Sequence, residues 1–219
     1  MAISLPAVAP QRITLRDSVT NSVRNAIFDG SLAAGAHLGE IELSASLGVS
    51  RATLREAFRQ LHQEGLLTQD GRGRLTVRRV GVDEVRDIFE VRLGLETIAV
   101  RRLCAKEDRT DDVAALRAHL EPLRAETDLI TSMTADLDFH RALCERAGNA
   151  TLESSWSSLS GLIRITMIAA GPDPARHNLA YERHAPIVDL IEAGDPAACA
   201  AFLEEHMLSA AETLVARLS

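Results

Sequence analysis

The 219-residue chain is poor in aromatic residues and cysteine. Aromatic residues make up 3% of it, which argues against recognition of nucleic acid by base stacking. Its three cysteines, Cys104, Cys144 and Cys199, show no CxxC spacing, so we expect neither a disulfide framework nor a cysteine-rich zinc site. No apolar run approaches the ~18 residues that a membrane helix requires, and the apolar start lacks a basic leader. We therefore expect a cytoplasmic protein without a membrane partner.

Charge is distributed unevenly along the chain. Residues 1–80 carry 10 basic and 7 acidic residues, a net charge of +3, whereas residues 81–219 carry 14 and 24, a net charge of −10. A mildly basic segment faces phosphates more readily than a strongly acidic one, so the split predicts two modules with different partners. A chance fluctuation of composition gives the same split.

The basic module has the residue order of a winged helix-turn-helix. Apolar residues at helical spacing predict three helices, which begin near Leu15, Glu40 and Arg51. Gly48 supplies a tight turn before the third helix, and Ser50 is a good N-cap for it. Two short apolar runs around a glycine-rich turn then predict a hairpin. In this arrangement the third helix enters the major groove of double-stranded DNA by its N-terminal end.

Arginines lie where such a module meets DNA. Arg51 and Arg55 are four residues apart and project together from a helix N-terminus, which itself favours phosphate. The arginines of the hairpin tip reach along the DNA backbone or into the minor groove. A solvated arginine face on a small α/β domain accounts for the same residues without DNA. The predicted DNA-binding residues are Ser50, Arg51, Thr53, Arg55, Arg59, Arg72, Gly73 and Arg74.

The stretch from Leu47 to Phe58, LGVSRATLREAF, is followed by Glu64-Gly65-Leu66 and Gly71-Arg72-Gly73. It closely resembles the winged-helix domain of GntR-family bacterial transcriptional regulators. The resemblance covers about residues 12–80 and implies a DNA-binding domain there. Since one recognition helix reads only a few base pairs, we expect a homodimer on a palindromic operator.

The acidic module shows helical patterns throughout and no alternating strand pattern. Gly194-Asp195-Pro196 combines a helix stop, an N-cap and a proline suited to the first helical turn. The predicted fold class is mainly α, with the N-terminal winged helix-turn-helix followed by a C-terminal antiparallel six-helix bundle. The six predicted helices span 83–106, 109–131, 133–147, 151–170, 176–193 and 196–217.

Four residues of the bundle have the spacing of a metal site. Asp136 and His140 lie four residues apart on one helical face. His184 is ten residues before Gly194 and His206 is twelve after it, so they lie nearly level on antiparallel helices. Three imidazoles and one carboxylate suit Zn²⁺, Ni²⁺ or another borderline divalent metal, with room for water or a ligand. Isolated core or surface histidines remain an alternative.

The segment from Asp136 to Leu143, with Ala147-Gly148-Asn149, and the segment from His184 to His206 resemble the FCD effector domain of GntR regulators. The resemblance spans residues 81–219, and six helices are closer to the shorter, VanR-like branch. It implies that a divalent metal on Asp136, His140, His184 and His206 helps to hold a small carboxylate effector. It also implies that Arg92 faces the effector and that the protein represses transcription.

Two other functions remain open at this stage. A metal-dependent hydrolase or lyase with an accessory N-terminal domain explains the same Asp/His cluster. A constitutive DNA-binding protein, whose bundle only dimerises, explains the basic module. We expect a ligand-responsive regulator and no enzyme.

Overall fold

A computed structural model describes residues 14–125, 128–170 and 176–218. The fold is mainly helical, as predicted, and the chain divides between Val77 and Arg78 into two compact units. None of the helices in these ranges combines the length and the hydrophobicity that a membrane crossing requires.

From residue 14 to residue 77, the first unit contains three helices and a two-stranded antiparallel hairpin, in the order predicted for a winged helix-turn-helix. Leu67 pairs with Val77 across the hairpin. The side chains that face the interior of this unit are almost all aliphatic, and those of the third helix include Leu54, Ala57, Phe58 and Leu61. The elements are α1 (Leu15–Phe28), α2 (Glu40–Leu47), α3 (Arg51–Gln63), β1 (Leu67–Gln69) and β2 (Leu75–Val77).

Local chemistry sets the turn between α2 and α3. Gly48 ends α2 with a φ of 65°, a left-handed conformation that other residues adopt only at a cost. Ser50 begins α3, since its hydroxyl oxygen accepts a hydrogen bond from the Thr53 amide at 3.1 Å. The buried stripe of α3 faces the core, and its N-terminal arginines therefore remain on the surface.

The second unit is a helical bundle built around α4. This helix packs against α6, α7, α8 and α9, and α5 packs against α6 and α8. Residues from several helices therefore converge beside α4. The helices in the described part of this unit are α4 (Val82–Cys104), α5 (Thr110–Leu120), a 3₁₀ turn (Glu121–Arg124), α6 (Leu129–Arg146), α7 (Ala150–Ala170), α8 (Tyr181–Ala193) and α9 (Pro196–Leu218).

Three predicted boundaries in the bundle are wrong. The helix expected at 176–193 begins at Tyr181, after a break at Leu179 and Ala180. The helix expected at 109–131 ends at Leu120 and tightens into a 3₁₀ turn that contains Pro122. The next helix begins at Leu129 instead of 133, because the Asp128 carboxylate accepts a hydrogen bond from the Thr131 amide at 3.0 Å and caps it there. The break predicted at 171–174 lies outside the described residues.

Candidate functional site

The N-terminal end of α3 borders an open groove of about 860 Å³ on the first unit. The predicted residues Arg51, Arg55 and Arg59 line this groove, and Arg16 of α1 joins them. The Arg55 and Arg59 side chains are 62% and 67% exposed. Four guanidinium groups on one open surface attract phosphate and carry donors that match base edges.

Acidic neighbours hold three of these arginines. Arg16 Nη2 lies 2.7 Å from Asp17 Oδ1. Glu40 of α2 lies 2.8 Å from Arg55 Nε, and Glu56 lies 3.1 Å from Arg59 Nη1. Exposed ion pairs of this kind contribute only about 0–1 kcal/mol. The arginines can therefore exchange their carboxylates for DNA phosphates or bases at little cost.

The hairpin tip is organised by Asp70. Its Oδ1 accepts hydrogen bonds from the amides of Arg72 and Arg74, both at 2.9 Å, and Arg74 Nε donates to Oδ2 at 2.7 Å. These bonds, with those of Arg74 the strongest, hold the pKa of Asp70 below its ordinary value. Gly73 has a φ of 79°, so it permits the tight turn. Arg72 and Arg74 are thus exposed at a rigid tip.

The four residues predicted as metal ligands lie together in the interior of the second unit. Asp136 and His140 come from α6, His184 from α8 and His206 from α9, and all four are buried. One ring nitrogen of each histidine lies within 4.8 Å of the others. Asp136 Oδ1 lies 2.8 Å from His184 Nε2 and 3.8 Å from His140 Nε2.

Hydrogen bonds assign the protons of two imidazoles. His184 Nδ1 lies 2.9 Å from the Ala180 carbonyl oxygen, and His140 Nδ1 lies 2.5 Å from Glu96 Oε2. Because these oxygens accept, both Nδ1 atoms donate, and both Nε2 atoms present lone pairs to the cluster. Within the described ranges, neither Nε2 atom nor Asp136 Oδ2 has a hydrogen-bond partner. Buried acceptors that face one another fit a cation, and three imidazoles with a carboxylate are donors that Zn²⁺ and Ni²⁺ accept.

Lowered pKa values keep His140 and His206 in the neutral form that binds metal. Burial lowers the pKa of His140 far below its ordinary value, and the nearby Arg92 charge lowers it further. Burial and the neighbouring His184 lower the pKa of His206 in the same way. Burial pushes the pKa of Asp136 upward, but His184, His140 and Arg92 together pull it below its ordinary value. Neutral imidazoles beside a carboxylate anion are what a divalent cation requires.

Arg92, the predicted effector-binding residue, lies beside the same cluster. Its Nε donates to Glu96 Oε1 at 2.7 Å within α4. Its Nη2 has no hydrogen-bond partner in the part of the chain that the structure describes, and it lies 4.0 Å from Asp136 Oδ2. A buried donor without a partner is available to an anionic ligand.

Two family models match the chain, and each match lies within one of the two structural units. Residues 15–77 match the bacterial regulatory proteins of the gntR family, and residues 87–209 match the FCD domain. The second match alone spans more than half of the chain. The chain belongs to the GntR family.

Relatives and a solved structure agree with this GntR membership. The "Probable D-xylose utilization operon transcriptional repressor" of Paenarthrobacter nicotinovorans is 32% identical over 200 residues, which cover 90% of this chain and 85% of the relative. The Nta operon transcriptional regulator of Aminobacter aminovorans is 32% identical over 79% of this chain and 81% of its own length. A GntR crystal structure from Rhodococcus sp. RHA1 is 27% identical with a TM-score of 0.75, over 92% of this chain and 97% of that one.

Membership in the GntR family excludes one of the functions that the sequence analysis left open. The family and the relatives are transcriptional regulators, so this GntR protein is a DNA-binding transcriptional regulator and no enzyme. The hydrolase or lyase alternative is excluded on that ground. Three buried histidines of its FCD domain could hold a metal ion.

Sequence reasoning missed three residues at these sites. Glu96 bonds to Arg92 and His140, and Trp156 Nε1 donates to Glu96 Oε1 at 3.0 Å. The Arg92–Glu96 spacing of four residues is a helical ion-pair signal that pointed to Glu96. No sequence signal indicated Trp156 or Arg16, because each comes from a helix distant in the sequence.

Proposed function

We propose that this GntR regulator is a metal-dependent repressor that a small carboxylate metabolite controls. In this proposal residues 12–80 bind a palindromic operator and residues 81–219 bind the effector and form the homodimer. The protein acts in the cytoplasm, where the chromosome is. The observation that carries the proposal is the set of unpaired lone pairs on His140, His184 and Asp136 inside the bundle.

The DNA-binding part of the proposal is supported by the arginine surface of α3. Arg51 and Arg55 lie at the helix end that enters a major groove, and both are exposed. We assign to them the contacts with base edges. Ser50, Thr53 and Arg59 contact the flanking phosphates, and the wing residues Arg72, Gly73 and Arg74 contact the adjacent backbone or minor groove. Arg16 is added to the phosphate contacts because it lines the same groove.

The metal part of the proposal assigns four ligands: Asp136, His140, His184 and His206. A divalent ion bound there would neutralise the buried carboxylate and, as a Lewis acid, would accept a lone pair from an oxygen atom of a ligand. Zn²⁺ and Ni²⁺ both suit this donor set. The four protein ligands leave positions for a further oxygen donor when the ion takes more than four ligands.

The effector part of the proposal follows from charge. The cluster combines a cation site with the unpaired Nη2 donor of Arg92. A carboxylate is the simplest group that satisfies both, since one oxygen can meet the ion and the other the guanidinium. Effector binding controls DNA affinity only if the effector binds the two conformations of the dimer with different affinities.

Repression and dimerisation are supported by relatives and by symmetry. The D-xylose operon relative is named a repressor. A single α3 reads only a few base pairs, so a two-fold dimer on a palindrome extends the site. We therefore propose that the dimer without effector blocks transcription and that effector binding releases the dimer from its operator.

Metal analysis of the full-length protein tests the metal site. We expect about one equivalent of Zn²⁺ or Ni²⁺ per chain after dialysis, and chelator should lower the melting temperature. Saturation at 100 times the dissociation constant stabilises a protein by about 2.7 kcal/mol. His206→Gln should abolish binding, whereas His177→Gln, a change at an exposed histidine, should not. Equal metal content in the wild type and His206→Gln would falsify the ligand assignment.

DNA selection from a random duplex library tests the regulatory function. The metal-loaded protein should enrich a palindromic sequence. A screen of small carboxylates by thermal shift should then yield a compound that changes affinity for that sequence. If no carboxylate or chelator alters DNA affinity, the bundle only dimerises the protein and the sensing proposal fails.

A further inference from the structure

We infer that Glu96 is a positioning residue of the metal centre, which commits His140 to bind the ion through Nε2. This inference rests on the proposed metal site and adds a residue outside its four ligands. Glu96 lies on α4, whereas His140 lies on α6. The assignment predicts that metal affinity depends on a carboxylate that never touches the metal.

Glu96 lies at the centre of a buried hydrogen-bond network that joins three helices. Its side chain is fully buried. Arg92 Nε of α4 donates to Oε1 at 2.7 Å, and Trp156 Nε1 of α7 donates to the same oxygen at 3.0 Å. Oε2 faces His140 Nδ1 at 2.5 Å. Each carboxylate oxygen thus has a partner from a different part of the bundle.

The two donors at Oε1 determine which oxygen is left for His140. Guanidinium and indole N–H groups only donate, so Oε1 must accept from both. This arrangement holds the carboxylate with Oε2 toward the imidazole. His140 Nδ1 then carries the ring hydrogen, and Nε2 carries the lone pair.

The lone pair on His140 Nε2 faces the cluster of predicted metal ligands. Nε2 is buried, has no hydrogen-bond partner among the residues that the structure describes, and lies 3.8 Å from Asp136 Oδ1. If the ring turned over, Glu96 would face a carbon atom and lose its hydrogen bond in the protein interior, which is unfavourable. Glu96 therefore fixes the tautomer and the ring orientation of His140 in the metal-free protein. Partners of this kind change metal affinity by roughly 10–100-fold.

His140 is the ligand at which this effect can be tested by mutation. His184 is oriented by the backbone carbonyl of Ala180, which no side-chain substitution removes. Glu96→Gln keeps the size of the side chain but turns one oxygen into an NH₂ group. An NH₂ group at the Oε1 position loses the bonds from Arg92 and Trp156. An NH₂ group at the Oε2 position favours the other tautomer of His140, which carries its hydrogen on Nε2 and cannot bind the ion there.

Zinc competition with a chromophoric chelator measures the effect in the full-length protein. Glu96→Gln should weaken Zn²⁺ affinity by about 10–100-fold. The matched control is Asp112→Asn, because Asp112 is also a buried carboxylate held by two cations, Lys106 Nζ and Arg146 Nε, both at 2.6 Å. The control should lose stability yet keep Zn²⁺ affinity within about threefold of the wild type. Equal affinity of Glu96→Gln and the wild type overturns the inference.

A second measurement does not depend on the folding of a variant. Nitrogen NMR of histidine side chains in the zinc-loaded wild type should show Nδ1 of His140 protonated and Nε2 bound to the metal. If Glu96 only stabilised the fold, either nitrogen of His140 could bind the metal. Zinc bound through Nδ1 of His140 overturns the inference.

The outcomes separate this inference from the proposed function. If the wild type binds neither Zn²⁺ nor Ni²⁺, the metal site fails and the role of Glu96 fails with it. If His206→Gln abolishes Zn²⁺ binding and Glu96→Gln leaves it unchanged, the metal site stands and only the role of Glu96 is wrong.

Discussion

His184 Nε2 lies 2.8 Å from Asp136 Oδ1, and this pair joins α8 to α6 in the interior of the second unit. The other ring nitrogen of His184, Nδ1, donates to the Ala180 carbonyl oxygen. Two acceptor atoms at this separation are stable together only when a proton or a cation lies between them. Burial raises the pKa of Asp136, but the contact with His184 outweighs this together with its other neighbours, so the fold favours the carboxylate anion.

Asp136→Asn should lower both the metal affinity and the metal-free stability. The pKa of Asp136 is lowered in the fold despite its burial, so the folded protein favours the anion that this variant removes. The amide NH₂ can still donate to His184 Nε2, so the unfolding free energy of the chelator-treated protein should fall by only about 1 kcal/mol. Loss of the anionic ligand should weaken Zn²⁺ binding at least tenfold. Chemical denaturation and zinc competition measure the two effects. Asp138→Asn, two residues away and partly exposed, should change neither. Unchanged Zn²⁺ affinity of Asp136→Asn would show that Asp136 is not a ligand.

The metal-free protein should lose stability as the pH falls from 7 to 5. The pKa values of His140 and His206 are lowered by burial in the folded state, and the ordinary histidine value is 6.5. The unfolded chain therefore binds more protons below pH 6.5, and protons favour unfolding. Well below that pH each histidine contributes a slope of about 1.4 kcal/mol per pH unit. Denaturation of chelator-treated protein across this range measures it.

Variants assign this pH dependence to the cluster. His206→Gln should reduce the slope between pH 7 and 5, because one histidine with a lowered pKa is removed. His177→Gln removes an exposed histidine and should leave the slope unchanged. Equal slopes for the two variants would place the proton uptake elsewhere.

Loss of either recognition arginine should weaken specific DNA binding. Arg51→Ala or Arg55→Ala should cost about 1–3 kcal/mol on the selected duplex if the side chain contacts a base. Fluorescence anisotropy at fixed salt measures the affinity. Arg101→Ala, which removes an exposed arginine of α4, is the matched control and should have little effect. Wild-type affinity of both recognition variants would disprove the assignment of α3 to the groove.

Glu40→Gln should raise non-specific DNA affinity and reduce sequence discrimination. Glu40 holds Arg55 at 2.8 Å, so its loss frees the guanidinium to meet any phosphate. One added phosphate contact steepens the dependence of log affinity on log salt by about 0.9. Binding to the selected and to a scrambled duplex across a salt series measures both effects. Glu42→Gln removes the same charge from the same exposed helix without freeing Arg55, and its salt dependence should match that of the wild type.

Local signals in the sequence determined the elements of this fold. Leucine and valine spacing, Gly48 and the Ser50 cap define α3 and the turn before it, and the structure places them as predicted. The same reasoning failed between Leu120 and Leu129, where Pro122 signalled the end of a helix and Asp128 signalled a new N-cap, but the helical pattern on either side outweighed both signals. A periodic pattern identifies a helix well, but its ends depend on single hydrogen bonds.

The sequence by itself determined which side chains could form a cation site and which could meet DNA, because i, i+4 spacing and the order of helices are local properties. Only the tertiary structure decided the protonated nitrogen of His140, the three partners of Glu96 and the pairing of Arg55 with Glu40. These contacts join residues up to 60 positions apart. Their geometry follows from how whole helices pack, and no short segment of sequence encodes that.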